Sequence, residues 1–383
     1  MKILVFAHQL ELGGTQTNAI ELAAAVRDHF GHEVALFATP GPAAELAAAK
    51  GVRLIPAPAA RRRPSPAMMA ALRRAVAAES PDLVHAWDWP QVLDASLGLR
   101  VPVLGTSMSM TLERFLPRTV PMTFGTAELQ ARAAEVWRSP VALLEPPVDT
   151  EANRPGAVAP AAFGDGPTAV IVSRLSRTLK LEGVLRAIRA VRSLAATLVI
   201  VGDGDAFADV AAEAAVAGGG TAVLTGALAD PRPAYAAADV VLAMGGSALR
   251  AMAFAKPVVV LGEQGFSEVF SPETAEQFLW RGFYGLGDGD RREHRLAAQL
   301  GALFADPARR DALGEFGRRT VDERYALTPA AARLEAMYRQ VAAAGPQPRP
   351  ARLVEGARSL AVRSGTNMVP ATVKRRLRAR RAA

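Results

Sequence analysis

Three cations lie close together in "VSRLSRTLKLEG", residues 172–183: Arg174, Arg177 and Lys180. They follow an apolar run that reads as a strand and precede a helical one. This places them in a loop at a strand's carboxyl end, where open α/β sheets bind ligands. Such a cluster can neutralise a diphosphate without metal, arginine by a forked contact and lysine as a point charge. The plain alternative is solvated loop charge. In "LELGGTQTN", Gly13 and Gly14 follow the first strand and open a helix, so bare backbone amides and the helix's partial positive charge suit a phosphate. An ordinary βα turn would look the same. In "AMGGSA", Gly245, Gly246 and Ser247 stand at the start of another helix, a third place where phosphate fits. Two Asp-x-Asp strings, Asp203/Asp205 and Asp288/Asp290, raise the question of a metal. Asp and Gly are the residues turns favour, and turn chemistry is the stronger explanation for both.

These loops need a scaffold of buried strands. "KILVFA", "HEVALFA", "VRLIPA", "PDLVHAWD" and "VPVLGTS" read as strands, with helices between the earlier ones. One helix runs from about Thr15 to Asp28; another begins at Pro66, capped by Ser65, and continues to Ala78. "PMTFGT" leads into a helix from Ala127. Apolar runs of this kind, lacking strict alternation, suit strands buried on both faces of a parallel sheet. Four prolines between Pro146 and Pro160 interrupt the pattern and mark a linker. Strand–helix alternation then restarts, with helices expected over Leu181–Leu194, Phe207–Ala217, Arg232–Ala237 and Ser247–Ala255. The expected fold is therefore α/β: two Rossmann-like, doubly wound domains facing across a cleft. Residues 1–150 form the first, residues 151–344 the second with terminal helices returning toward the first, and residues 345–383 a basic tail.

Composition narrows the function. A chain of 383 residues with 50% hydrophobic content can bury two cores. The absence of Cys excludes disulfides and thiolate zinc sites. The first apolar run, Ile3 to Ala7, is too short for a signal-peptide core, and no window approaches about 20 uninterrupted apolar residues. A cytoplasmic protein is expected. The net charge of +8 is misleading until located: residues 345–383 carry +9, leaving −1 for the rest. That argues against nucleic acid as a partner of the body. The tail lacks aromatic residues for base stacking. Leu353, Val354, Ala357, Leu360 and Ala361 fall at helical spacing, and "VKRRLRARR" follows, a pattern that fits peripheral attachment to an anionic membrane surface.

Taken in order, "GGTQTNAIELA", "PDLVHAWDW", "PPVDTEANRP", "VSRLSRTLK", "LVIVGDGD", "AYAAADVVL" and "LRAMAFAKPVVV" resemble the GT-B-fold retaining glycosyltransferases of glycosyltransferase family 4. The resemblance implies a nucleoside-diphosphate-sugar donor held by the second domain and a glycan or lipid-linked acceptor held mainly by the first. It also implies transfer with retention, without metal or cofactor, and a final helix near Pro329–Ala342 that crosses back. On the same grounds, Gly14 lies near the donor phosphates and Arg174 is the diphosphate arginine. Lys180 is its lysine partner, with Arg177 a rival because this loop is one residue longer than usual. His85 matches a histidine that approaches the reacting sugar. The family often carries a second histidine where Trp87 stands here, which would leave His85 a neighbour only.

One departure is large. The family pattern has two glutamates separated by seven residues, the second preceding "AMA-x-x-KPVV". Here those positions are Leu242 and Arg250. A guanidinium has donors and no acceptor, so Arg250 suits phosphate and not ribose hydroxyls. Glu263 and Glu268 downstream could supply an acceptor. Two functions stay open: a transferase with a rearranged donor site, or a degenerate relative that binds without turnover.

Overall fold

Short apolar runs rich in β-branched residues form the strands, most of them parallel. The computed structural model describes residues 1–368, apart from residues 61, 165 and 219 and the side chains of residues 365–368. The chain forms two compact units, one of residues 1–146 together with the chain from Leu327 onward, the other of residues 147–326.

In the first unit β1 (Lys2–Phe6), β2 (Glu33–Ala38), β3 (Arg53–Pro56), β4 (Leu83–Trp87), β5 (Val103–Ser107), β6 (Met122–Phe124) and β7 (Val141–Leu143) form one parallel sheet in the order β3-β2-β1-β4-β5-β6-β7. Alternate residues of β1 face opposite layers. Ile3 and Val5 pack with Ile20 and Leu22 of helix Gly14–Phe30 and with Leu334 and Tyr338 of helix Leu327–Ala344. Leu4 and Phe6 pack with Leu72 of helix Pro66–Glu79 and Val92 of helix Asp88–Gly98. Ser65 caps its helix as expected, accepting from Met68 N at 3.2 Å. Helix Asp88–Gly98 was not expected: it begins where β4 ends, with no glycine or polar loop to announce it.

The second unit contains β8 (Thr168–Val172), β9 (Thr197–Val201), β10 (Ala222–Gly226), β11 (Val240–Ala243), β12 (Val258–Leu261) and β13 (Ser267–Val269), in the order β10-β9-β8-β11-β12-β13. All pairs are parallel except β12 with β13, an antiparallel hairpin that the sequence did not signal. Valines of β8, β9, β11 and β12 face helix Gly246–Ala253, while their neighbours face helices Leu181–Arg192 and His294–Ala305.

The segment from Gly345, expected as a separate tail, instead continues as helix Arg349–Met368, which is anchored on the first unit. The reason is polar. The buried carboxylate of Glu355 accepts from Arg118 N at 3.1 Å and pairs with Arg358 at 2.8 Å, while Ser359 is also buried. Leu353, Val354 and Leu360 face outward. The cations of "VKRRLRARR" lie outside the described residues.

Helix Leu327–Ala344 is joined to the sheet by a buried polar chain. The Tyr338 hydroxyl lies 2.7 Å from His85 Nδ1, and His85 Nε2 lies 2.6 Å from the Thr106 hydroxyl. Tyr338→Phe leaves one buried imidazole nitrogen without a partner, and is expected to lower stability by about 1–3 kcal/mol in urea unfolding. An unchanged unfolding midpoint would contradict this.

Candidate functional site

β8 passes directly into the cationic loop. Ser173 N donates to Val201 O at 3.0 Å and Leu175 N to Asp203 O at 2.9 Å, so the loop runs alongside the "VGDG" turn after β9. The turn needs glycine for a steric reason. Gly202 (φ 148°) and Gly204 (φ 153°) leave no room for a side chain, which would collide with the carbonyls of Ser173 and Leu175. Leu175 is buried, and Arg174 beside it is exposed; among the described residues no carboxylate pairs with Arg174. Leu179 adopts a left-handed conformation (φ 71°), and Lys180 follows at the head of the helix. Lys180 is half-buried, and its Nζ donates to Met244 O at 3.4 Å. Burial first, and then the nearby charge of Arg174, bring its pKa down to about 8. Arg177 differs. It pairs with Asp209 at 2.7 Å, and its amide donates to Asp205 Oδ1 at 3.1 Å.

Because β11 pairs with β8, its carboxyl end lies next to this loop. Only Met244 and Gly245 separate β11 from helix Gly246–Ala253. The Gly245 amide donates to Phe283 O at 2.7 Å, and the Ser247 hydroxyl donates to Met244 O at 3.1 Å. Neither is therefore directed at a ligand, whereas Gly246 borders open space. Glu263 lies at the carboxyl end of β12, where its Oε2 accepts from the Tyr284 hydroxyl at 2.5 Å. Glu268 is set back inside β13, opposite Val260. Three of the four Asp-x-Asp carboxylates make local turn bonds, Asp203 accepting from Gly204 N, Asp288 from Asp290 N and Asp290 from Arg292 N, whereas Asp205 accepts from Arg177 N in the loop after β8.

In the first unit the Gly13 carbonyl accepts from the Thr17 hydroxyl at 3.1 Å, and the missing side chain of Gly14 faces open space. His85 is 0% exposed in the central strand β4, both ring nitrogens are occupied, and burial pushes its pKa down to about 3. A neutral imidazole with one donor and one acceptor nitrogen satisfies both hydroxyls, so the structure places His85 in the core with both ring nitrogens engaged. Trp87 is buried on the same side, with ring centroids 5.0 Å apart.

This arrangement, two parallel α/β units with phosphate-sized loops at strand ends, has counterparts. A Glycosyltransferase Family 4 model matches residues 12–119, and a Glycosyl transferases group 1 model matches residues 166–303. The chain belongs to these glycosyltransferase families. Among solved structures it resembles Anabaena HepE in complex with UDP and glucose, at 16% identity and TM-score 0.71, covering 89% of this chain and 100% of that one. Sucrose-phosphate synthase from Thermosynechococcus elongatus matches at 17% identity and TM-score 0.68, covering 90% and 100%. WaaG, a glycosyltransferase involved in lipopolysaccharide biosynthesis, matches at 16% identity and TM-score 0.61, covering 87% and 99%. At such identities the likeness concerns the fold, which is GT-B. No curated protein matches the sequence.

Within this glycosyltransferase fold the family's glutamate positions can be examined directly. Leu242 is wholly buried inside β11 and packs toward helices Leu181–Arg192 and His294–Ala305. Counting back from Arg250 therefore reaches the strand and not a loop. Arg250, one turn into its helix, is half-buried and near enough to Tyr235 for its charge to act on that buried phenol. Sequence reasoning also missed the carboxyl end of β4. Asp88 holds a left-handed conformation (φ 65°), accepts from Met108 N at 3.2 Å, and has its pKa raised by burial. This aspartate belongs to the motif "HAWDW", and its buried setting depends on Met108, twenty residues further on.

Proposed function

We propose that the chain transfers a sugar from a nucleoside-diphosphate donor to a glycan or lipid-linked acceptor, with retention and without metal or cofactor. The observation that carries this reading is the cation pair of the second unit: exposed Arg174 beside half-buried Lys180. Cleavage of the anomeric bond develops charge on the departing diphosphate, and two fixed cations at a strand's carboxyl end stabilise it. In a front-face route the leaving phosphate itself takes the acceptor proton, so the core position of His85 removes nothing the reaction needs. Anabaena HepE has been crystallised with UDP-glucose, which makes UDP-sugars the donors to test first.

A second reading, nucleotide binding without turnover, has its own observation. The loop that would carry the first family glutamate is absent, and Arg250 replaces the second. Single-turnover transfer or donor hydrolysis over a panel of UDP-sugars separates the two. UDP binding with no turnover selects the second.

The location we propose is the surface of an anionic membrane. No described helix is long and apolar enough to cross one. The outward Leu353, Val354 and Leu360 of helix Arg349–Met368 would rest on the surface, and the following cations would supply up to about 1 kcal/mol each.

Assayed in EDTA, Arg174→Ala is expected to lower kcat/KM by about 10²–10³, equivalent to about 2–4 kcal/mol, with unchanged unfolding. Near-normal turnover of the folded variant, or loss of wild-type activity to the chelator, counts against the mechanism. Lys180 binds a diphosphate as an ammonium, so UDP affinity should fall as pH rises through about 8. Lys180→Met should be weaker throughout and lose that dependence; a parallel profile in both proteins would remove Lys180 from the site. For the membrane, co-sedimentation with phosphatidylserine vesicles should be salt-sensitive and fall sharply when residues 369–383 are removed. Equal binding by the shortened chain would dismiss attachment through the tail.

A further inference from the structure

The first unit contains a cavity of about 480 Å³ whose lining holds three arginines and no carboxylate. It opens at the carboxyl ends of neighbouring strands: His8 follows β1, Thr39 follows β2 and Trp89 follows β4. Gln9, Arg62, Arg63 and Arg363 complete the polar lining. Their charges are not equally balanced. Arg63 pairs with the buried carboxylate of Asp94, which also accepts from Ser65 N at 2.9 Å. Arg62 is exposed, and among the described residues no carboxylate pairs with it. Arg363 arrives from helix Arg349–Met368, 300 residues further along the chain, and its Nε donates to Arg63 O at 3.1 Å. Its guanidinium lies 4.2 Å from the ring centroid of Trp89 and 5.1 Å from that of Phe115. Stacking of this kind fixes the plane of the fork before any ligand arrives. Glu113 and Asp94 act on Arg363 only through space.

A concave site with two guanidinium groups beyond internal balance, an imidazole, a hydroxyl and an aromatic wall suits an anion attached to a polar ring or chain. A phosphomonoester offers three oxygens to forked donors, one more than a carboxylate. The volume falls within the usual range for sites that hold small molecules, about 300–1,000 Å³. We infer that this cavity binds the phosphate of a phosphate-bearing acceptor, either a soluble sugar or polyol phosphate or the phosphate headgroup of a lipid. Its role as acceptor rests on the transferase reading above; the phosphate site does not.

The test titrates the full chain with four probes by calorimetry. Glucose 6-phosphate is compared with glucose, and dihexanoyl phosphatidic acid, kept below its aggregation concentration, with dihexanoylglycerol. At least one phosphorylated probe should bind about tenfold or more tightly than its neutral counterpart, and the member that does identifies the source of the phosphate. Arg62→Gln, an exposed position whose loss leaves the fold standing, should raise that Kd about tenfold, and Arg363→Gln should do at least as much. Equal affinity for charged and neutral probes, or an unaltered Kd in Arg62→Gln, overturns the inference. UDP affinity measured on the same samples reports the donor site separately. If UDP fails to bind while a phosphorylated probe does, the transferase reading falls and the phosphate site remains.

Discussion

Two like charges held together without a carboxylate between them are the constraint around which the second unit is arranged. Burial disfavours the Lys180 ammonium, and the nearby charge of Arg174 disfavours it further, so the pKa of Lys180 is lowered. Among the described residues only the Met244 carbonyl directly answers Lys180. Such a site is stable because the backbone around it is over-determined: the β8 loop runs against the "VGDG" turn at distances only glycine permits, and Leu175 is buried beneath. A dianion entering there relieves a repulsion the fold has already accommodated.

The neighbouring loops show how parallel topology assembles such a place. The carboxyl ends of β8, β11 and β12 lie side by side, so Arg174 and Lys180, the Gly246 helix start and Glu263 come from separate stretches of sequence to one end of one sheet. Glu182 extends the order outward by accepting from Gly265 N at 2.7 Å and pairing with Arg291 at 3.1 Å. Arg177, nominally in the same cluster, is instead balanced by Asp209 on helix Phe207–Ala217, which follows β9. Charge counting alone treats these three cations as equivalent. Their partners distinguish them.

Much of this was legible in the sequence because the governing signals are local. Buried parallel strands are short apolar runs, their helices start at Gly or Ser-Pro, and ligand loops follow strands. What was not legible depends on distant packing. Nothing around His85 reveals that Tyr338, 253 residues later, closes on its ring. The matching motif suggested chemistry, and the central position of β4 buries the ring. Glu355 and Ser359 read as the polar side of a surface helix, yet they are the buried side, since Arg118 N and Arg358 satisfy the carboxylate. The arginine cavity is likewise invisible to a linear reading, because Arg363 reaches Arg63 across 300 residues.

The missing glutamates take on a different meaning once the strand boundaries are known. A point substitution would leave a loop position ready to accept a carboxylate again. Here Leu242 packs inside the sheet, and a glutamate in its place would bury an unpaired charge at a cost of several kcal/mol or be forced neutral. Only two residues join β11 to its helix, so the position eight before Arg250 falls inside the strand. Reverting Arg250 alone cannot recreate the family arrangement. If ribose hydroxyls are recognised, their acceptor has to come from another strand end. Glu263 stands at such an end, beside β11 through β12, with one carboxylate oxygen accepting from the Tyr284 hydroxyl.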